Sequence, residues 1–116
     1  NIYTFRSWHN GAGMEYRFDV TATTYKEAVD KAYDVVMKVS GVDPEVDFEY
    51  ASVPVYAIYE PNVDFVIDIC DTKAEAEEGI QECYAWDRGN PQGYVPYYVV
   101  REIEPRTYCW RAKKGL

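Results

Sequence analysis

The chain has 116 residues, a formal net charge of −8, 47% apolar and 16% aromatic residues. That apolar content excludes a disordered acidic tail, and the length suits a single domain spanning residues 1–116 rather than two independent ones. Cys70, Cys83 and Cys109 are odd in number and form no CxxC pair, which argues against a disulfide framework or zinc motif; no stretch reaches the roughly 18 apolar residues of a membrane span, so a cytoplasmic protein with reduced thiols is expected.

Ile2 to Trp8 alternates apolar and polar residues, and "HNGAG" (9–13) supplies an Asn-Gly turn. Glu15 to Ala22 follows, with Phe18, Val20 and Ala22 on one face and Arg17, Asp19 and Thr21 on the other. This predicts a hairpin with one buried face. Thr24 to Glu27 reads as a capping box, after which Ala28, Ala32, Val35, Val36 and Val39 recur at helical spacing and Gly41 offers a stop. A helix over 25–39 is predicted.

Phe48 to Tyr59 is rich in β-branched and aromatic residues and reads as one strand, in which Pro54 argues for an edge or a bulge. "EPNVD" (60–64) is a turn, and Phe65 to Cys70 places Phe65, Ile67 and Ile69 in alternation. A second capping box, Thr72 to Glu75, opens a helix whose core face carries Ala76, Ile80, Cys83 and Tyr84. Residues 87–96 have loop chemistry, Tyr97 to Glu104 is a strand, and Thr107 to Ala112 is a short edge segment. The expected fold is α+β, in the order ββαββαββ, with two helices on one face of a mostly antiparallel sheet. Thr24/Thr72, Glu27/Glu75, Ala28/Ala76 and Gly41/Gly89 each lie 48 residues apart, the signature expected of an internal ββα repeat.

Catalytic constellations are scarce. His9 is the one histidine and falls beside a hairpin turn; Gly11-Ala12-Gly13 leads into a strand instead of opening a helix, which a phosphate cradle requires. The cysteines and His9 lie on separate elements without ligand spacing, so neither a metal nor a cofactor is expected. Glu75, Glu78 and Glu82 share one helix face instead of opposing each other across a cleft, which suits a surface and not acid–base chemistry.

Charge is the strongest signal. Asp43 to Asp87 contains thirteen acidic residues and one basic residue, Lys73, a net of −12 against +4 for the remainder. Such a segment is expected to gather into one negative exterior region that attracts basic surfaces. The site expected to bind a partner comprises Glu75, Glu77, Glu78 and Glu82 with Tyr56, Tyr59, Tyr97 and Tyr98, tyrosine being enriched at interfaces. In size, acidity and lack of a catalytic motif the chain resembles, by composition, small phage or mobile-element proteins that block host nucleases, CRISPR effectors included.

These features predict a non-enzymatic protein-binding module whose partner is a basic protein surface. Where that surface belongs to a nucleic-acid enzyme, inhibition by nucleic-acid mimicry is implied, with no direct binding of nucleic acid and no membrane. Two alternatives are an enzyme whose site is assembled only in three dimensions, with His9 its first candidate, and a nucleic-acid binder using Trp110 and the basic end formed by Arg106, Arg111, Lys113 and Lys114.

Overall fold

A computed structural model describes residues 1–9, 14–40, 45–91 and 93–109. The elements run ββαβββαβ and form two helices and two three-stranded antiparallel sheets, an α+β architecture. Two expectations are corrected here. There are two sheets instead of one, and the expected strand Phe48 to Tyr59 is two strands, because Pro54 sits in the break between them and has no N–H to give a ladder. The hairpin turn at 10–13, Gly41 and residues 110–116 lie outside the described residues; over 107–109 no strand forms.

The chain divides into two compact units. In the first, Asn1–Val53 with Pro105–Cys109, strand β1 (Ile2–His9) lies between β2 (Met14–Thr21) and β3 (Glu45–Ala51). Phe5 faces Phe18 on β2 and Phe48 on β3, and this aromatic row receives helix α1 (Tyr25–Ser40). The ring of Tyr25 stacks on Phe5 at 6.3 Å and meets Phe48 edge-on at 5.3 Å, while Ala28, Ala32 and Val36 are buried along the helix. A fully buried side chain of the size of Val36 or Phe5 contributes about 1.5–3 kcal/mol. The Thr24 hydroxyl accepts from Glu27 N–H at 3.2 Å, as a cap should, whereas the Glu27 carboxylate returns to Thr23 N–H, one residue earlier than expected.

In the second unit, whose described residues are 54–91 and 93–104, β4 (Val55–Glu60) lies between β5 (Phe65–Cys70) and β6 (Val99–Ile103), with helix α2 (Lys73–Gly89) covering one face. Ile58 is buried against Ala76 and Ile80, with Tyr56, Cys83, Tyr84, Tyr98 and Val100 around it. Gly79 lets the helix come close: a Cβ there would stand 2.6 Å from Ile58 Cδ1. Both units thus run strand, strand, helix, strand with the first strand central. The 48-residue spacing holds for the caps and for the buried Ala28 and Ala76, but the last strands end at Ala51 and Ile103, 52 apart.

Each sheet carries one irregularity between its central strand and a neighbour. Thr4 pairs with Tyr50 and Phe5 with Phe48, which leaves Glu49 as an extra residue in β3. Ile58 pairs with Asp68 and Tyr59 with Val66, which leaves Ile67 extra in β5. A bulge re-aims the side chains beyond it. Ile69, opposite Ala57, is therefore buried on the face away from α2, while Phe65, opposite Glu60, is exposed on the α2 side. The simple alternation expected of Phe65, Ile67 and Ile69 is broken by that extra residue.

Candidate functional site

Helix α2 begins where Thr72, with extended backbone, accepts from Glu75 N–H at 3.1 Å. It runs further than the loop chemistry at 87–96 suggests, through Asp87 and Arg88. Its end is held by Asn90, whose side chain donates to the Trp86 carbonyl at 2.9 Å. At about 100° per residue, Ala76, Ile80 and Cys83 point to the sheet, and Glu75, Glu78 and Glu82 fall on the opposite, exposed side over about 10 Å of axis. Glu77 lies on the flank, 3.9 Å from Lys73. Among the described residues no ion pair forms at Glu75, Glu78 or Glu82.

Not every carboxylate of the wider acidic segment reaches the exterior, and to that extent the expectation is corrected. Glu49 is 1% exposed and held by its own unit: Arg17 Nε lies 2.8 Å from Oε2, Arg6 Nε 3.6 Å from Oε1, and the Tyr108 hydroxyl donates to Oε1 at 2.7 Å. Asp47 lies 3.8 Å from Arg6. Glu60 is 4% exposed, and Asp64 accepts from the Tyr59 hydroxyl. Burial and internal pairing thus remove or tie down several of the carboxylates, while the α2 strip stays outside, as does Asp68 on β5.

The four predicted tyrosines do not assemble beside it. Tyr56 and Tyr59 sit three apart on β4 and therefore project to opposite faces. Tyr56 packs near α2 and donates to Glu102 at 3.1 Å; Tyr59 is 9% exposed, with the Arg101 guanidinium 4.4 Å above its ring. Tyr97 is 54% exposed just before β6. Tyr98 is half-buried, donates to Asp87 Oδ2 at 2.6 Å and crosses Tyr84 edge-on at 5.0 Å. Of the predicted site, Glu75, Glu78 and Glu82 are brought together, Glu77 is adjacent, and the tyrosines are dispersed. His9 ends β1, and its side chain, like Trp110, Arg111, Lys113 and Lys114, lies outside what is described; Arg106 of the basic end is exposed, and its backbone N–H donates to the Ala51 carbonyl at 2.8 Å.

What sequence reasoning missed is a cavity of about 530 Å³ at the C-terminal end of α2. Its walls come from four places: Phe65 and the extra residue Ile67 on β5, Val63 in the preceding turn, Cys83 and Trp86 on α2, and Tyr94 with Tyr98 ahead of β6. Trp86 is 59% exposed, and Phe65 and Tyr94 are each about half exposed. Glu60 and Asp87 are its charged groups. Tyr98 and Tyr94 are both held above the ordinary phenol range, in each case chiefly by burial; Asp87 then acts on Tyr98, and Glu60 followed by Asp87 on Tyr94. The one signal in the sequence is the spacing of Tyr56, Ile58 and Glu60, which puts the glutamate on the same inward face as the core isoleucine.

The Cys70 and Cys83 thiols are both held protonated at neutral pH. Burial first, and then Asp68, push Cys70 up to about 11, and burial followed by Asp87 raises Cys83 as well. Among the described residues, no helix is long and apolar enough to cross a membrane. Comparison of the chain with protein families, with curated proteins and with solved structures finds no match.

Proposed function

We propose that the protein is a non-enzymatic binding module that docks on a basic protein surface through the outer face of α2. The observation that carries this reading is the strip Glu75, Glu78 and Glu82, exposed and without an ion pair among the described residues. Like charges four apart on a helix cost about 0.2–0.5 kcal/mol, and Glu82 lies too far from the N-terminus to recover this from the helix dipole. A partner's lysines and arginines would offset that repulsion and speed encounter. Where the partner is a nucleic-acid enzyme, the strip would occupy positions meant for phosphates and inhibit by competition, the manner of action expected of an anti-CRISPR-like phage protein.

The test is affinity capture from the native host with wild-type protein and with the triple variant Glu75→Lys, Glu78→Lys, Glu82→Lys. The variant is expected to fold, because none of the three side chains is buried, and to lose the captured basic partner. Capture that survives the reversal sinks the reading. So does a gel shift showing that the wild-type protein binds DNA or RNA directly at moderate salt.

A further inference from the structure

The cavity at the end of α2 carries an unmet demand. Glu60 is 4% exposed, and its Oε1 has no hydrogen-bond partner among the described residues. A buried acceptor left without a donor costs about 1–3 kcal/mol, and more when it is charged. The Tyr94 hydroxyl donates to the same carboxylate, so it is one oxygen and not the whole group that the local fold leaves without a donor. The side chain that carries this covered oxygen lines a space of about 530 Å³, within the size range of small-ligand pockets.

The surroundings select the ligand. Both charged groups on the cavity are carboxylates and, among the described residues, no lysine or arginine lines it, so an anion is repelled. Asp87 already accepts the Tyr98 hydroxyl at 2.6 Å, which holds that carboxylate in place as a fixed negative charge. The remaining walls are aromatic and apolar, with Trp86 and Tyr94 presenting large exposed rings. A hard metal ion needs about six or more oxygen ligands, which one open carboxylate oxygen among rings does not supply. An organic cation fits both halves of the lining: its charge is attracted by ring faces and carboxylates, and its carbon chain covers Phe65 and Ile67.

We propose that this cavity is a binding site for a protonated alkylamine, whose N–H donates to the Glu60 carboxylate while Trp86 and Tyr94 flank the carbon next to nitrogen. The amine is either a free small molecule or the end of a lysine side chain; the chemistry is shared. The site is separate from the α2 strip and stands whether or not that strip is an interface.

The test is a two-dimensional NMR titration of the full chain with n-butylammonium chloride. Saturable shifts are expected at the Trp86 indole N–H and the Tyr94 amide, with half-saturation on the order of millimolar for so small a ligand. n-Butanol, of the same shape but uncharged, and tetramethylammonium, which has no N–H, should each bind at least tenfold more weakly. Glu60→Gln, which removes the charge but keeps an oxygen for the Tyr94 hydroxyl, should weaken butylammonium at least tenfold with little other change in the spectrum. Binding of Nα-acetyl-lysine amide as tight as that of butylammonium assigns the site to a peptide side chain, and binding of butylammonium alone assigns it to a free amine. Absence of saturation, equal binding of butanol or tetramethylammonium, or an unaffected Glu60→Gln variant overturns the proposal. The triple lysine variant of the α2 strip should titrate like wild type, so that failure of one reading is not mistaken for failure of the other.

Discussion

Two buried glutamates, one in each unit, show how the same residue type can serve opposite ends. Glu49 is the extra residue of the β3 bulge and is 1% exposed; two guanidiniums and a phenol close on it. Glu60 ends β4, lines a cavity and is 4% exposed, and one of its oxygens is covered without a hydrogen bond. Burial of a carboxylate is tolerated where partners replace water. The first unit sets two guanidiniums against its glutamate, whereas in the second a phenol, Tyr94, donates to Glu60 and no ion pair forms there among the described residues. Low exposure alone therefore does not distinguish a structural acid from a binding acid, and neither does one unbonded oxygen, since Glu49 Oε2 lacks a hydrogen bond too; a counter-charge beside it does.

The largest expected effect tests that contrast directly. Glu49→Leu leaves Arg6 largely covered and without its main counter-charge, and breaking a buried pair from one side costs about 3–5 kcal/mol. The lower end applies, since Arg17 is more than half exposed and Asp47 remains near Arg6. A fall in thermal midpoint of roughly 10 °C follows for a chain of this size. Glu60→Leu, by contrast, removes one unpartnered oxygen together with the acceptor of the half-exposed Tyr94 hydroxyl; the two effects oppose, and the variant should lie within about 1 kcal/mol of wild type. Equal losses in the two variants, measured by thermal unfolding under one buffer, would erase the distinction.

A middle-sized effect separates the two helices. Helix α1 meets its sheet through Ala28 and Ala32, whereas α2 uses Ala76 and Gly79, and at Gly79 an added methyl would collide with the strand below. The collision is with the far end of Ile58, which can turn aside. Gly79→Ala therefore sets a clash against a gain in helix propensity of about 1 kcal/mol, and the stability should change little. Gly79→Leu has no such escape, and overpacking should cost about 1–3 kcal/mol, read as a lower urea midpoint. A stabilised Gly79→Leu would mean that α2 is not seated closely on Ile58.

The same two units differ in how much of them is legible in the amino-acid sequence. Period and capping chemistry are local, so sequence pattern alone bounds β5 to the residue and α1 to within one, and it places the start of α2 correctly at the Thr72 cap. Pro54 stands out as misplaced in a strand, but its role in separating two sheets is not written locally, because sheet membership depends on partners distant in sequence. The Glu75, Glu78 and Glu82 strip follows from helical spacing alone. The cavity does not, since a strand end, a bulge, a helix end and the segment ahead of β6 must converge before Glu60, Trp86 and Tyr94 meet. The fate of Glu49 is hidden for the same reason: a count of acidic residues carries no information on which of them the chain neutralises internally.

The smallest effect concerns the helix starts, where the sequences of the two units are most alike. Thr24 and Thr72 both cap, but Glu27 alone returns to the backbone, accepting from Thr23 N–H at 3.2 Å, with Lys31 also 3.2 Å away. That backbone bond first, and the lysine second, hold the Glu27 carboxyl below its ordinary value of 4.5. A depressed folded-state pKa stabilises the fold when pH is above the unfolded value and ceases to do so as pH falls through the folded one. Glu27→Gln should therefore have a lower urea midpoint than wild type at pH 7, and the gap should close on acidification below 4.5. The side chain is exposed, so the gap is expected to be small and to shrink in high salt. Glu75→Gln, at the matching place in α2, should show no such pH-dependent gap of its own from a return bond, because Glu75 makes none among the described residues. If both variants lost stability in the same pH window, the likeness of the two caps in sequence would extend to their energetics, and the structural difference between them would carry no weight.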